Sequence, residues 1–223
     1  MNFIINVNHV VAVAAMASCL NLVASDEIDL LERKVERAVE EFSGSCYGVR
    51  ALDGGWGSAV LISAEGRFLS SAHVFQFVGE SITVHQVGGP EISARVVRLD
   101  RELDIALLEA ADFRVRGKEV KVVSLSSGAR IDEPVEALAF GHASGFRRER
   151  RAPLRFGFVY ENAEGDLISN CRLTIGDSGG ALLNLEGELI GIHRTVDRKW
   201  GSATHVSLAA IFDRWPDMKK SDS

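Results

Sequence analysis

Residues 174–184 read TIGDSGGALLN, from Thr174 to Asn184. Ser178 stands between an acid, Asp177, and the pair Gly179-Gly180, with Gly176 before it and the apolar run Ala181-Leu182-Leu183 behind. Two readings fit. One is a tight turn that leads into a buried strand. The other is a hydroxyl nucleophile whose own loop turns backbone N–H groups towards a developing anion. Glycines serve the second reading because such a loop brings N–H groups close to charge in a conformation that a side chain opposes.

A serine hydroxyl is a weak nucleophile at neutral pH. It needs a base within hydrogen-bond reach, and the base needs an orienting acid. The sequence offers both upstream. SSAHVF carries His73 at the end of an apolar run, and LDIALLEA carries Asp104 at the start of another. Singly, each has an ordinary structural reading: a satisfied histidine, a strand-start aspartate, a turn. In the order His73, Asp104, Ser178 they form a coherent set. Gly176-x-Ser178-x-Gly180 also fits the G-x-S-x-G elbow of α/β-hydrolases. That fold needs a helix directly after the serine and the order serine, acid, histidine. Here Gly-Gly and a hairpin-like segment follow instead.

The surrounding pattern is mostly of period two. CYGVRAL, GSAVLIS, RFLSSAHVF, SITVHQV, ISARVVRL, DIALLEA and EVKVVSL are short strand candidates between turn residues. After a Gly-Ala break near residue 128 come PVEALAF, RFGFVYE, DLISNCRL, GALLNLEG, ELIGIHRT and SATHVSL. NLEGEL, Asn184 to Leu189, reads as a hairpin turn. The two series look like two similar β units, each a small barrel or sandwich. Before them, SDEIDLLERKVERAVEEF has the helical period: Ile28, Leu31, Val35, Val39 and Phe42 share one face, and Ser25 or Asp26 can cap it. A short helix over Ser207–Trp215 is stopped by Pro216.

Composition narrows the class. The chain has 223 residues, 46% apolar and 25% charged, and a formal charge of −6. That balance suits a soluble globular protein and argues against broad nucleic-acid binding, which wants a basic surface. Cys19, Cys46 and Cys171 have no metal-ligand spacing, and His9, His85 and His205 suggest no site, so neither metal nor cofactor is expected. Cys46 and Cys171 can be read as a pair or as two buried thiols. Residues 1–25 hold an apolar core, Val10 to Ala17, of signal-peptide length and too short for a stable membrane span. Val23-Ala24-Ser25 suits cleavage, while Met16-Ala17-Ser18-Cys19 loosely resembles a lipoprotein box. No Lys or Arg precedes the core. Export to the periplasm or medium is the expectation; the alternative is a cytoplasmic protein with an apolar leader.

With these residues in hand, the chain resembles a chymotrypsin-fold serine protease, and within that group the HtrA or Deg branch. GWGSAVLISAEGRFLSSAHVF is similar to that branch's glycine-rich strand pair ending in the catalytic histidine. LDRELDIALLEA is similar to its aspartate segment, and IGDSGGALLNLEGELIGIHRT to its nucleophile loop and hairpin. The resemblance implies an all-β fold of two six-stranded antiparallel β-barrels with a short helix at each end. The expected division is leader 1–25, helix 26–42, first barrel 43–126, second barrel 127–212 and tail 213–223. It implies a serine endopeptidase acting on polypeptides. Ser178 attacks, His73 is the base, Asp104 orients it, and the N–H groups of Gly176 and Ser178 form the oxyanion hole. The alternative is a non-catalytic, peptide-binding or scaffolding member of the fold.

The resemblance also places Arg172, Thr174, His193, Arg194 and Thr195 at the specificity pocket. GIH is similar to bacterial glutamyl endopeptidases, which implies a preference for an acidic residue before the cut; the plainer reading packs His193 in the sheet and points Arg172 to solvent. HtrA-type proteins usually carry a PDZ domain after the protease, and none is expected here. They generally have Asn where this chain has Asp177. Digestive enzymes have Asp there, paired with an amine released by cleavage; in this chain an internal group such as His142 or a nearby Arg is expected to take that place. RRERR, Arg147 to Arg151, falls where HtrA-type enzymes have an activation loop, and reads as a solvated loop or as an anchor for an acidic partner. The apolar face of the 26–42 helix is expected either to form a homo-oligomer or to pack on its own barrel.

Overall fold

Most strands in this chain run through consecutive buried positions, and the twelve strands close into two barrels. The computed structural model describes residues 25–113, 122–197, 199 and 201–220. The expected leader, with His9 and Cys19, lies outside the described residues, as do the capping side chains of Ser25 and Asp26. Helix α1 spans Ser25–Phe42. The first six strands are β1 (Cys46–Arg50), β2 (Trp56–Leu61), β3 (Arg67–Ser70), β4 (Ser81–His85), β5 (Glu91–Asp100) and β6 (Ile105–Glu109). The second six are β7 (Val135–Phe140), β8 (Leu154–Glu161), β9 (Asp166–Ser169), β10 (Ala181–Leu183), β11 (Leu189–Asp197) and β12 (Ser202–Ser207). Helix α2 (Leu208–Arg214) follows, capped by the Ser207 hydroxyl, which accepts from the Ala210 N–H.

Both barrels are closed, with strand orders β1-β2-β3-β6-β5-β4 and β7-β8-β9-β12-β11-β10. Shifted by six strands the two orders are identical, so the two halves repeat one topology. Every strand pairing is antiparallel. Closure leaves no free sheet edge. The seventh run of the first series, EVKVVSL, forms no strand over its described part. Residues 122–126 instead lace the barrels together: Val123 N–H donates to Leu61 O at 3.1 Å, and Leu189 N–H donates to Ser124 O at 2.8 Å.

A shared apolar cluster joins the halves. Val60, Leu69 and Ile105 from the first barrel meet Leu138, Phe140, Leu183 and Ile192 from the second. Val35 and Ala38 of α1, with Ile211 and Trp215 near the C-terminal end, belong to the same cluster. The apolar face of α1 is therefore covered within its own chain, and Leu30 is left exposed. No helix among the described residues is long and apolar enough to cross a membrane. Cys46 and Cys171 are buried and free; burial pushes the Cys46 thiol up to about 12 and the Cys171 thiol upwards too.

Candidate active site

A cleft of about 670 Å³ runs between the barrels, lined by His73, Asp104, Gly176, Asp177 and Ser178 among others. His73 comes from a single 3₁₀ turn, Ala72–Val74, that follows β3, with Ala72 and Val74 buried as its anchors. Its imidazole is half-exposed to the cleft. Asp104 sits just before β6 with a positive φ of 63°, a left-handed conformation that costs a non-glycine residue on the order of 1 kcal/mol. That geometry delivers both carboxylate oxygens to one residue. Oδ2 meets His73 Nδ1 at 2.8 Å, and Oδ1 accepts the His73 backbone N–H at 2.8 Å. With Nδ1–H donated to Asp104, the lone pair is on Nε2, as a base needs.

Arg101, three residues before Asp104, braces the histidine turn. Its Nη2 donates to Phe75 O at 2.9 Å and Gln76 O at 2.7 Å. Glu80, buried, accepts N–H groups from Leu52 at 2.8 Å and Gln76 at 2.5 Å, tying two cleft-side loops together.

The serine loop is pinned plane by plane. Ile175 O accepts the Ser144 N–H at 2.7 Å, and Asp177 O accepts the Gly180 N–H at 2.8 Å. A trans peptide points its N–H opposite to its C=O. The N–H groups of Gly176 and Ser178 are thus turned away from both of those donors, and neither finds an acceptor among the described residues. Gly176 has a φ of +94°, and a Cβ there would meet His142 O at 2.6 Å. Only glycine suits the position. Ser58, fully buried on β2, ties the loop to the first barrel. Its hydroxyl donates to Gly176 O at 2.8 Å and accepts the His142 N–H at 2.9 Å, while its N–H donates to Ser178 O at 2.8 Å.

Of the expected specificity residues, Thr174, His193, Arg194 and Thr195 line the cleft; Arg172 is exposed and does not. His193 and His205 face each other across β11 and β12, Nδ1 to Nδ1 at 2.9 Å, and His205 Nε2 meets Ser169 Oγ at 2.7 Å. Burial holds both rings neutral, His205 down to about 3 and His193 well below the usual histidine range. Within RRERR, Arg147, Arg148 and Arg151 are exposed, but Arg150 turns inward and its Nη2 donates to the carbonyls of Ala143 and Gly145. Asp177 is buried, and its partner is Arg155, Nη2 to Oδ2 at 2.9 Å. Sequence reasoning overlooked Ser58, Arg101 and Glu80. The legible signals were a serine inside an apolar strand run and an arginine beside the candidate acid.

Comparison with known proteins adds to this geometry. The family described as "Trypsin-like peptidase domain" matches residues 57–192. The chain is 28% identical over 161 residues to the periplasmic pH-dependent serine endoprotease DegQ of Escherichia coli (strain K12), covering 70% of this chain and 34% of that one. It is 29% identical over 167 residues to a probable periplasmic serine endoprotease, DegP-like, of Pseudomonas putida (strain GB-1), covering 70% of this chain and 32% of that one. The chain thus spans about a third of the length of these relatives. A crystal structure of the serine endoprotease from Yersinia pestis superposes with a TM-score of 0.67 at 23% identity, over 83% of this chain and 66% of that one. At that identity the likeness speaks for the two-barrel fold.

Proposed function

The chain belongs to the trypsin-like peptidase domain family, and from that premise we propose that it is a serine endopeptidase with His73, Asp104 and Ser178 as its catalytic residues. The single observation that carries the reading is the His73–Asp104 pair, bonded at 2.8 Å in the same cleft as Ser178. Ser178 Oγ attacks the scissile carbonyl and His73 Nε2 takes its proton. Asp104 stabilises the imidazolium, and the proton then passes to the leaving amine. The N–H groups of Gly176 and Ser178 receive the oxyanion. Losing one such donor typically costs about 3 to 4 kcal/mol of transition-state stabilisation.

The finer reading is a preference for an acidic side chain before the cut bond. Arg194 on the cleft wall supports it. The relatives' names support a periplasmic location and polypeptide substrates. A homo-oligomer through α1 would have to use the face bearing Leu30. The test is digestion of a randomised peptide library, with the new termini read by mass spectrometry. Cuts concentrated after Glu and Asp are expected. Cuts after Val or Ala would refute the preference, and no cuts at all would refute the activity.

A further inference from the structure

Asp177 raises a question that the triad leaves open. It is the residue between the two oxyanion donors, it is an acid, and its exposure is 1%. A carboxylate taken out of water needs a countercharge and hydrogen bonds, or it moves or takes a proton. Oδ2 accepts from Arg155 Nη2 at 2.9 Å and from the Thr174 N–H at 2.8 Å. Asp177 N–H in turn donates to Thr174 O at 3.1 Å, which closes the 174–177 turn. Oδ1 lies hard against Gly141, where any Cβ would come within 2.5 Å of it. The carboxylate is therefore folded inward, away from the cleft, and the turn that holds it also sets the Gly176 backbone.

Arg155 reaches this place from inside the second barrel. It pairs with Ala139 across β7 and β8, so by the period of two it shares the inward side with Ala139, Gly157 and Val159. Its side chain is 12% exposed. Two other basic side chains nearby make no ion pair with Asp177, although the Arg150 charge also favours its carboxylate. His142 is fully buried, directs Nε2 at Cys46 O, and is pushed down to about 4 by burial. Arg150 commits its Nη2 to Ala143 O and Gly145 O, on the loop whose Ser144 N–H fixes Ile175 O. The two arginines thus act on the two ends of the same short segment, Arg155 through Asp177 and Arg150 through Ser144.

We infer that Arg155 is a positioning residue for the oxyanion hole: its guanidinium supplies, from within the fold, the cation that holds Asp177 inward, so the hole forms without an amine freed by cleavage of the chain. This rests on the endopeptidase reading and goes beyond it. Burial alone pushes the Asp177 carboxyl upward, and Arg155 opposes that. Without Arg155 the carboxylate protonates or turns outward, and the Gly176 and Ser178 N–H groups lose their aim. Arg155 does not itself line the cleft, so ground-state binding is expected to change less than transition-state binding.

The test uses the whole chain, unmodified and acetylated at its N-terminal amine, beside Arg155→Met, Arg155→Lys and Arg155→Gln. Four quantities are read: kcat, KM, thermal unfolding, and the affinity for a peptide boronic acid against that for the matching product peptide. The acetylated chain is expected to keep full kcat. Arg155→Met is expected to lose about 10²-fold or more in kcat, the cost typical of one missing oxyanion donor, with KM within about threefold. Boronate affinity should fall with kcat while product affinity holds, and Arg155→Lys should recover part of both. If the Met variant does not fold, Arg155→Gln keeps a hydrogen-bond donor and is read the same way. Unchanged kcat in a folded Met or Gln variant overturns the inference, and so does an acetylated chain that is dead beside an active unblocked one. If the unmodified chain neither cleaves peptides nor takes up a fluorophosphonate, the endopeptidase reading itself has failed, and the inference with it.

Discussion

The two barrels share a topology and differ in what fills them. The first is packed with apolar side chains: Tyr47, Val49, Leu61, Phe68, Val84, Val96 and Leu108 form one cluster. The second has a smaller one, with Ala137, Ala139, Val159, Leu167, Leu182 and Ile190. Polar groups share its inward positions: Arg155 beside Ala139, Ser169 beside Val159, and His193 beside His205. The first barrel carries the proposed base and its acid at the rim. The second carries the proposed nucleophile and hole on a loop whose acid reaches back to an interior cation. Even the buried carboxylates follow this division. Glu80, on the first barrel's side, is met by two backbone N–H groups, whereas Asp177 is met by one N–H and a guanidinium. A repeated framework therefore fixes where the site lies, while the filling decides which half is sensitive to charge.

The largest expected effect ignores the difference between the halves. His73→Ala and Ser178→Ala remove one group from each barrel, and each should lower kcat/KM for a peptide by about 10⁴-fold or more. The double variant should be no worse than the worse single one, because the groups act as a unit. Additive losses in a hydrolysis assay would mean that they do not. Next in size, Phe68→Ala in the first barrel should cost about 3 to 5 kcal/mol of unfolding free energy, measured in urea. The kcat per folded molecule should stay near that of the parent chain. A loss of kcat at unchanged stability would erase the contrast drawn here.

The third expectation concerns acid, and it falls mostly on the second half, although burial lowers His85 of the first as well. His142 titrates near 4 and His205 near 3 in the folded chain, against 6.5 for an unperturbed histidine. Between 6.5 and those values the unfolded chain binds protons that the folded chain refuses. Stability is therefore full above about pH 7 and falls as pH drops through that window, on the order of 3 kcal/mol per histidine by pH 4. His142→Gln and His205→Gln should each flatten the curve of unfolding free energy against pH. An unaltered slope in both would place the acid sensitivity elsewhere. The smallest effect is at Glu80: Glu80→Gln keeps an acceptor for only one of the Leu52 and Gln76 N–H groups and sets an amide NH2 against the other, and should cost about 1 to 2 kcal/mol in the same urea titration. A larger loss would make the first half as charge-dependent as the second.

How much of this could be read from residues alone follows the same division. The strands were legible because period-two alternation is a local property: CYGVRAL, SITVHQV and SATHVSL contain β1, β4 and β12. His73, Asp104 and Ser178 were legible because each sits in a distinctive short segment, and the fold brings all three to one cleft. The lacing role of residues 122–126 was not, since hydrogen bonds to Leu61 and Leu189 join distant parts of the chain. The partner of Asp177 was expected to be His142 or a nearby arginine without a number. Its identity depends on Arg155 facing inward in RFGFVYE, where Phe156, Phe158 and Tyr160 look like the inward set and are the outward one; Phe158 and Tyr160 are exposed. Arg172 follows the plainer of its two readings: it is exposed and lies outside the residues that line the cleft.

Covalent trapping bears most directly on the claim that two barrels assemble one reaction centre. The chain is treated with a fluorophosphonate at neutral pH and digested, and the adduct is located by mass spectrometry in the parent and in His73→Ala. A single adduct on Ser178 is expected in the parent, its formation slowed by about 10³-fold or more once His73 is gone. An adduct on another serine, or a rate indifferent to His73, would contradict it.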